Sequence, residues 1–161
     1  MENEQIKQKF PVGMIIILIF IGWGIVALLF EMSKNPLSNI YQLGPVLASG
    51  VGAIIVNLVI VGILGTIFYG IIKRLKWVRK LTIRWYIFSM ALMLINLISF
   101  LANKTMYGSY YQKTLSPEAY SLYLNNPAIM TGAIILTLIS TSVIWLIIIV
   151  YFSRKKDFFV N

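Results

Sequence analysis

Four long stretches of this chain carry no charge: residues 11–30, 45–72, 85–101 and 127–152. Within each, Ile, Leu, Val and Phe follow one another without the alternation of a half-buried strand or the one-sided stripe of a surface helix. Runs that are apolar all round belong in lipid, where about 20 helical residues cross roughly 30 Å of hydrocarbon. Backbone groups in hydrocarbon must be paired internally, and a helix does this within a single segment. The pattern predicts an all-α polytopic membrane protein, a single four-helix transmembrane domain over residues 1–161. Three runs open on proline, at Pro11, Pro45 and Pro127, and the first helical position has no use for the missing N–H. Asn126 stands before the last of these as a candidate N-cap. The first run exceeds a signal-peptide core and no small-residue cleavage site follows "ALLFEMSK", so it reads as an uncleaved helix.

The loop 102–126 between the third and fourth runs holds five tyrosines, Tyr107, Tyr110, Tyr111, Tyr120 and Tyr123. Its "SPEA" predicts a short interfacial helix from Pro117 to about Leu124, with Ser116 as N-cap and Glu118 favourable in the first turn. Such a helix either lies in the outer headgroup layer or offers a docking surface to a partner.

Composition agrees with lipid as the solvent: 59% of residues are hydrophobic and 12% charged, against about half and a quarter in soluble domains. The net charge of +9 points to anionic headgroups and not to nucleic acid, because the charge sits in connectors between apolar runs. Placing both termini on one side gives that side Lys7, Lys9, Lys73, Arg74, Lys76, Arg79, Lys80, Arg84, Arg154, Lys155 and Lys156. The other side keeps only Lys34, Lys104 and Lys113. Excess Lys and Arg marks the cytoplasmic face, so both termini are predicted to be cytoplasmic. Trp85, Tyr69 and Tyr151 then fall near the cytoplasmic interface, where aromatic rings settle.

The residue inventory removes most chemistry. Cysteine and histidine are absent, and with them thiol nucleophiles, the commonest general base and most zinc sites. All five carboxylates, Glu2, Glu4, Glu31, Glu118 and Asp157, lie outside the four runs. A proton-coupled carrier keeps an ionisable group inside its bundle, and none is present there. No catalytic, cofactor-binding or metal-binding residue is assigned, no cofactor is expected, and the chain does not read as an enzyme.

Polar residues at depth are uncharged: Asn57, Ser89, Asn96, Thr137 and Thr141. Ser89, Asn96 and Asn103 recur every seven residues and share a stripe. They serve either as hydrogen-bonding glue between helices, at roughly 0.6–2 kcal/mol each, or as a polar path for a small solute. Asn57 and Asn96 lie at similar depth and are expected to bond each other. The spacings Gly62, Thr66, Gly70 and Ala133, Thr137, Thr141 suggest close helix approach. Trp23 and Trp145, both mid-run, are expected as packed bulk.

The connector "KRLKWVRKLTIR" concentrates Lys73, Arg74, Lys76, Arg79, Lys80 and Arg84, and no Gly or Pro occurs between Gly70 and Gly108. It is expected to orient the protein and to contact anionic headgroups, at about 1 kcal/mol per basic residue, or else a cytoplasmic partner. Together, "FYGIIKRLKWVRKLTIRWYI" and the closing "VIWLIIIVYFSRKKDFFV" resemble a family of uncharacterised four-span prokaryotic membrane proteins, the YdgK-like proteins. The matching tail positions are Trp145, Tyr151, Ser153, Arg154, Lys155 and Phe159. The resemblance implies topology only, with no activity attached; the expected location is a cell membrane, the prokaryotic plasma membrane.

The resulting expectation is a small non-enzymatic integral membrane protein, an accessory, assembly or protective subunit packing against other membrane proteins. The alternative is a small oligomeric facilitator or channel for a small solute. The expected partners are a bilayer with anionic headgroups and another membrane protein or a second copy of the chain; nucleic acid is excluded.

Overall fold

The computed structural model describes residues 10–34, 40–102, 112 and 115–159. Four long helices carry the apolar runs: α1 (Val12–Lys34), α2 (Val51–Ile72), α3 (Lys76–Ala102) and α5 (Pro127–Arg154). All four are long and apolar enough to cross a membrane. α1 packs along α2 and α3 along α5, with a shorter α2–α3 contact between the two pairs. The short α4 (Pro117–Asn125) precedes α5, and a 3-10 turn (Lys156–Phe158) follows it. The "SPEA" reading holds: Ser116 accepts a hydrogen bond from the Ala119 N–H at 3.3 Å, as an N-cap should. Asn126 does precede α5, but its side chain makes no capping bond.

Two boundaries differ from the hydropathy reading. Residues 45–49 are not helical. Pro45 lies in the turn and the rest form the second strand of an antiparallel hairpin, β1 (Ile40–Leu43) with β2 (Val46–Ser49), pairing Leu43 with Val46 and Ile40 with Ser49. Gly44 makes the tip with φ +64°, the conformation a two-residue hairpin loop requires at its first central position. Short apolar runs do not separate strand from helix by pattern, and the Gly-Pro pair was the available turn signal. The second difference lies in the connector. α3 is already helical at Lys76, nine residues before the charge-free run begins at Trp85. Lys and Arg are good helix formers, so the charge limit marks the edge of lipid and not the end of the helix.

The α2–α3 turn is a Schellman motif built without glycine. The Leu75 N–H donates to the Gly70 carbonyl at 2.9 Å, and the Arg74 N–H to that of Ile71 at 3.1 Å, the two bonds that define the motif. Its left-handed position is Arg74, φ +57°, where glycine is usual. Left-handed backbone costs a non-glycine residue roughly 1–2 kcal/mol. The Arg74 guanidinium offsets this by lying over two rings, 5.1 Å from that of Phe10 and 4.9 Å from that of Phe158, contacts of about 0.5–2 kcal/mol. Gly70 is required for a different reason. A Cβ there would sit 1.9 Å from Val78 Cγ2 and 2.8 Å from Val78 Cβ, so the elbow closes only without one.

The start of α1, the α2–α3 turn and the end of α5 thus meet at one end of the bundle. Most of the buried apolar residues gather there too: Met14, Ile21, Ile67, Ile71, Val78, Phe152, Phe158 and Phe159. Phe158 packs edge-on to Phe10 at 5.0 Å and to Phe159 at 5.1 Å, pairs of about 0.5–1.5 kcal/mol each. Toward the opposite end, where Ala53, Asn57 and Phe100 are buried, the hairpin packs against both α2 and α3.

Candidate functional site

Asn57 and Asn96 do not bond each other, contrary to the expectation from depth. Each grips the hairpin. Asn57, fully buried on α2, accepts a hydrogen bond from the Tyr41 hydroxyl through its Oδ1. Its Nδ2 has no partner. Asn96, half-buried on α3, accepts from the Gly44 N–H at 2.7 Å and donates from Nδ2 to the Gln42 carbonyl at 3.1 Å. Gln42 returns the contact, its Nε2 donating to the Asn96 carbonyl at 2.9 Å. Asn57 stands six residues from the start of α2, and Asn96 six from the end of α3, so the hairpin reaches roughly 9 Å along both helices. Non-helical backbone at such a depth is tolerated where protein satisfies it; Asn96 does so for the Gly44 N–H and the Gln42 carbonyl, while Asn57 takes the Tyr41 hydroxyl.

Below the hairpin tip lies a cavity of about 360 Å³ between α2, α3 and α5. Ser89 and Asn96, the stripe legible from their seven-residue spacing, both line it. Asn103, the third member, lies outside the described residues, as do Tyr107, Tyr110 and Tyr111. Trp85 and Trp145 form two further walls, Ile60 and Leu138 others, and Gln42 closes the hairpin side. Gln42 was not a sequence candidate; its only signal was its place two residues before Gly-Pro. A second gap, about 520 Å³ and almost wholly apolar, separates α1 from α5, with Trp145 lining both spaces.

The remaining predicted positions scatter. The Thr137 hydroxyl is exposed and bonds its own helix, at the Ala133 carbonyl, 2.9 Å away, and Thr141 is half-buried. Thr137 thus makes no glue between helices. The Gly62–Thr66–Gly70 stripe divides, with Gly70 buried at the elbow and Gly62 and Thr66 exposed. Trp145 is half-buried, its ring 6.2 Å from that of Tyr86, and it borders open space on two sides. Trp23 is not packed as expected: it is 74% exposed on the outer face of α1. Of the connector cations, Lys73, Lys76, Lys80 and Arg84 are exposed, while Arg74 and Arg79 are half-buried. Arg79 reaches the Ser153 carbonyl of α5 at 3.4 Å, so these two also tie the bundle end together. Among the described residues no group of His, Cys, Asp or Glu could hold a metal. Comparison with known proteins finds no matching family, no matching curated protein and no matching solved structure.

Proposed function

We propose that this chain is a non-enzymatic integral membrane protein of a prokaryotic plasma membrane, with both termini cytoplasmic. It acts as an accessory, assembly or protective subunit by packing against another membrane protein. The observation that carries this reading is Trp23. It stands eleven residues from either end of α1, about 16 Å along the axis, and is 74% exposed. Tryptophan settles at the membrane interface, where its N–H finds water or headgroups. At mid-span it faces hydrocarbon with an unpaired donor, unless a partner helix supplies both a packing surface and an acceptor. Phe20 and Ile19, 72% and 65% exposed, extend the same outward surface by one turn.

A photo-crosslinking residue placed at position 23 tests this in the native membrane. The expected result is a discrete adduct with one protein, recovered again by mild-detergent purification. Adducts with lipid alone at position 23 defeat the reading. The cavity lined by Ser89, Asn96 and Gln42 supports the second reading, an oligomeric facilitator for a small solute. Solute or ion flux through the reconstituted chain favours that alternative over the accessory one.

A further inference from the structure

The 360 Å³ cavity combines three features that together describe a ligand. First, no ionisable side chain lines it, so a charged occupant has no counter-charge. Second, its polar groups fall into two sets. The Asn96 side chain is engaged with the hairpin, whereas the Ser89 hydroxyl and the indole N–H groups of Trp85 and Trp145 have no hydrogen-bond partner among the described residues. Two donor-only indoles beside one hydroxyl favour an acceptor. Third, the walls between these groups are aliphatic and aromatic, Leu138 and Phe88 among them. A cavity of about 150 Å³ lined by apolar side chains holds benzene, so this larger one accommodates one or two rings.

We infer that this cavity is a binding site for a small uncharged molecule with an aromatic body and one carbonyl oxygen. The carbonyl accepts from Ser89 and an indole N–H, the rings lie against Trp85 and Trp145, and the hairpin, held by Asn96, closes the outer side. An acyl chain of the bilayer fills the volume equally well but leaves all three polar groups unpaired, so it is the weaker occupant. The inference rests on neither functional reading, since an accessory subunit and a facilitator could each carry such a site.

Benzophenone is the probe. It has two rings and one carbonyl, and on illumination it inserts into neighbouring C–H bonds. The full chain in lipid nanodiscs is labelled over a range of benzophenone concentrations, with and without excess acetophenone as competitor. The expected result is saturable, competitor-sensitive labelling mapped to Leu92, Met93 and Leu138. Ser89→Phe, which fills the space, should abolish it. Ser89→Ala removes only one oxygen and should weaken half-saturation about fivefold, the equivalent of one hydrogen bond. Where Ser89→Phe does not fold, Ser89→Ala decides. Non-saturable labelling spread over lipid-facing residues such as Phe20 and Ile98 overturns the inference. So does saturable labelling unchanged in a folded Ser89→Ala protein.

Discussion

Replacing Asn96 with leucine isolates the contribution of the hairpin clasp. The side chains are similar in volume, so the packing change is small and the loss is polar. Two bonds are lost, one from the Gly44 N–H at 2.7 Å and one to the Gln42 carbonyl at 3.1 Å. A buried group left unsatisfied costs about 1–3 kcal/mol, while measured side-chain bonds in membrane proteins average nearer 0.6 kcal/mol. Gly44 is buried, which places its N–H toward the costly side, and the pair together should cost about 2 kcal/mol. Asn57→Leu is the internal control. It removes one acceptor from Tyr41 but also removes a buried Nδ2 that has no partner. Its two terms oppose, and the net cost should stay below about 1 kcal/mol. Reversible unfolding in mixed micelles measures both variants. Amide exchange over residues 44–47 reports the hairpin directly, and should quicken about thirtyfold in Asn96→Leu if 2 kcal/mol of local stability is lost. The reasoning fails if Asn57→Leu costs as much as Asn96→Leu, or if exchange over the hairpin is unchanged.

The elbow and the connector give further predictions. Gly70→Ala places a methyl within 1.9 Å of Val78 and should destabilise by about 1–3 kcal/mol, as overpacking does; in unfolding titrations its cost and that of Val78→Ala should fall short of additive by about 0.5 kcal/mol or more in the double variant. Arg74→Ala loses both ring contacts and keeps the left-handed backbone, whereas Arg74→Gly loses the contacts but relaxes the backbone. The alanine variant should therefore be less stable by about 1 kcal/mol, and equal melts for the two would remove the strain argument. Neutralising Lys73, Lys76, Lys80, Arg84, Arg154, Lys155 and Lys156 together, all exposed, leaves Lys7, Lys9, Arg74 and Arg79 against Lys34, Lys104 and Lys113 and should yield a mixed orientation in a cysteine-accessibility scan of the otherwise cysteine-free chain. A uniform orientation identical to the parent would sink the charge-based assignment of sides.

Four spanning helices were legible because hydropathy is local: each residue reports its own solvent, and long charge-free runs report lipid. The cap at Ser116 was legible for a similar reason, since an N-cap and its N–H partner lie three residues apart. The polar residues were visible as candidates, but their partners were not. Asn96 finds Gly44 across 52 positions and Asn57 finds Tyr41 across 16, and both partners sit on a hairpin whose short apolar strands looked like the start of a helix. Mid-span tryptophans read alike in the sequence, yet Trp145 packs against Tyr86 and Trp23 faces outward. Facing depends on which helices pair, and an apolar run of uniform character carries no stripe to announce it.

The connector shows the same division. The sequence by itself determined that "KRLKWVRKLTIR" lies between two spans and that its charges gather at one end of the bundle, because burying them in hydrocarbon is prohibitive. It also determined that the four charge-free runs hold no Asp, Glu, Lys, Arg, His or Cys. Only the tertiary structure decided that Arg74 turns the chain in glycine's place, since its conformation is held by Phe10 and Phe158 from opposite ends of the sequence. The tertiary structure likewise decided that Ser89, Trp85 and Trp145 face a common cavity beneath a hairpin. Which polar groups are satisfied and which stay open is set by elements brought together in space, and no local pattern encodes that.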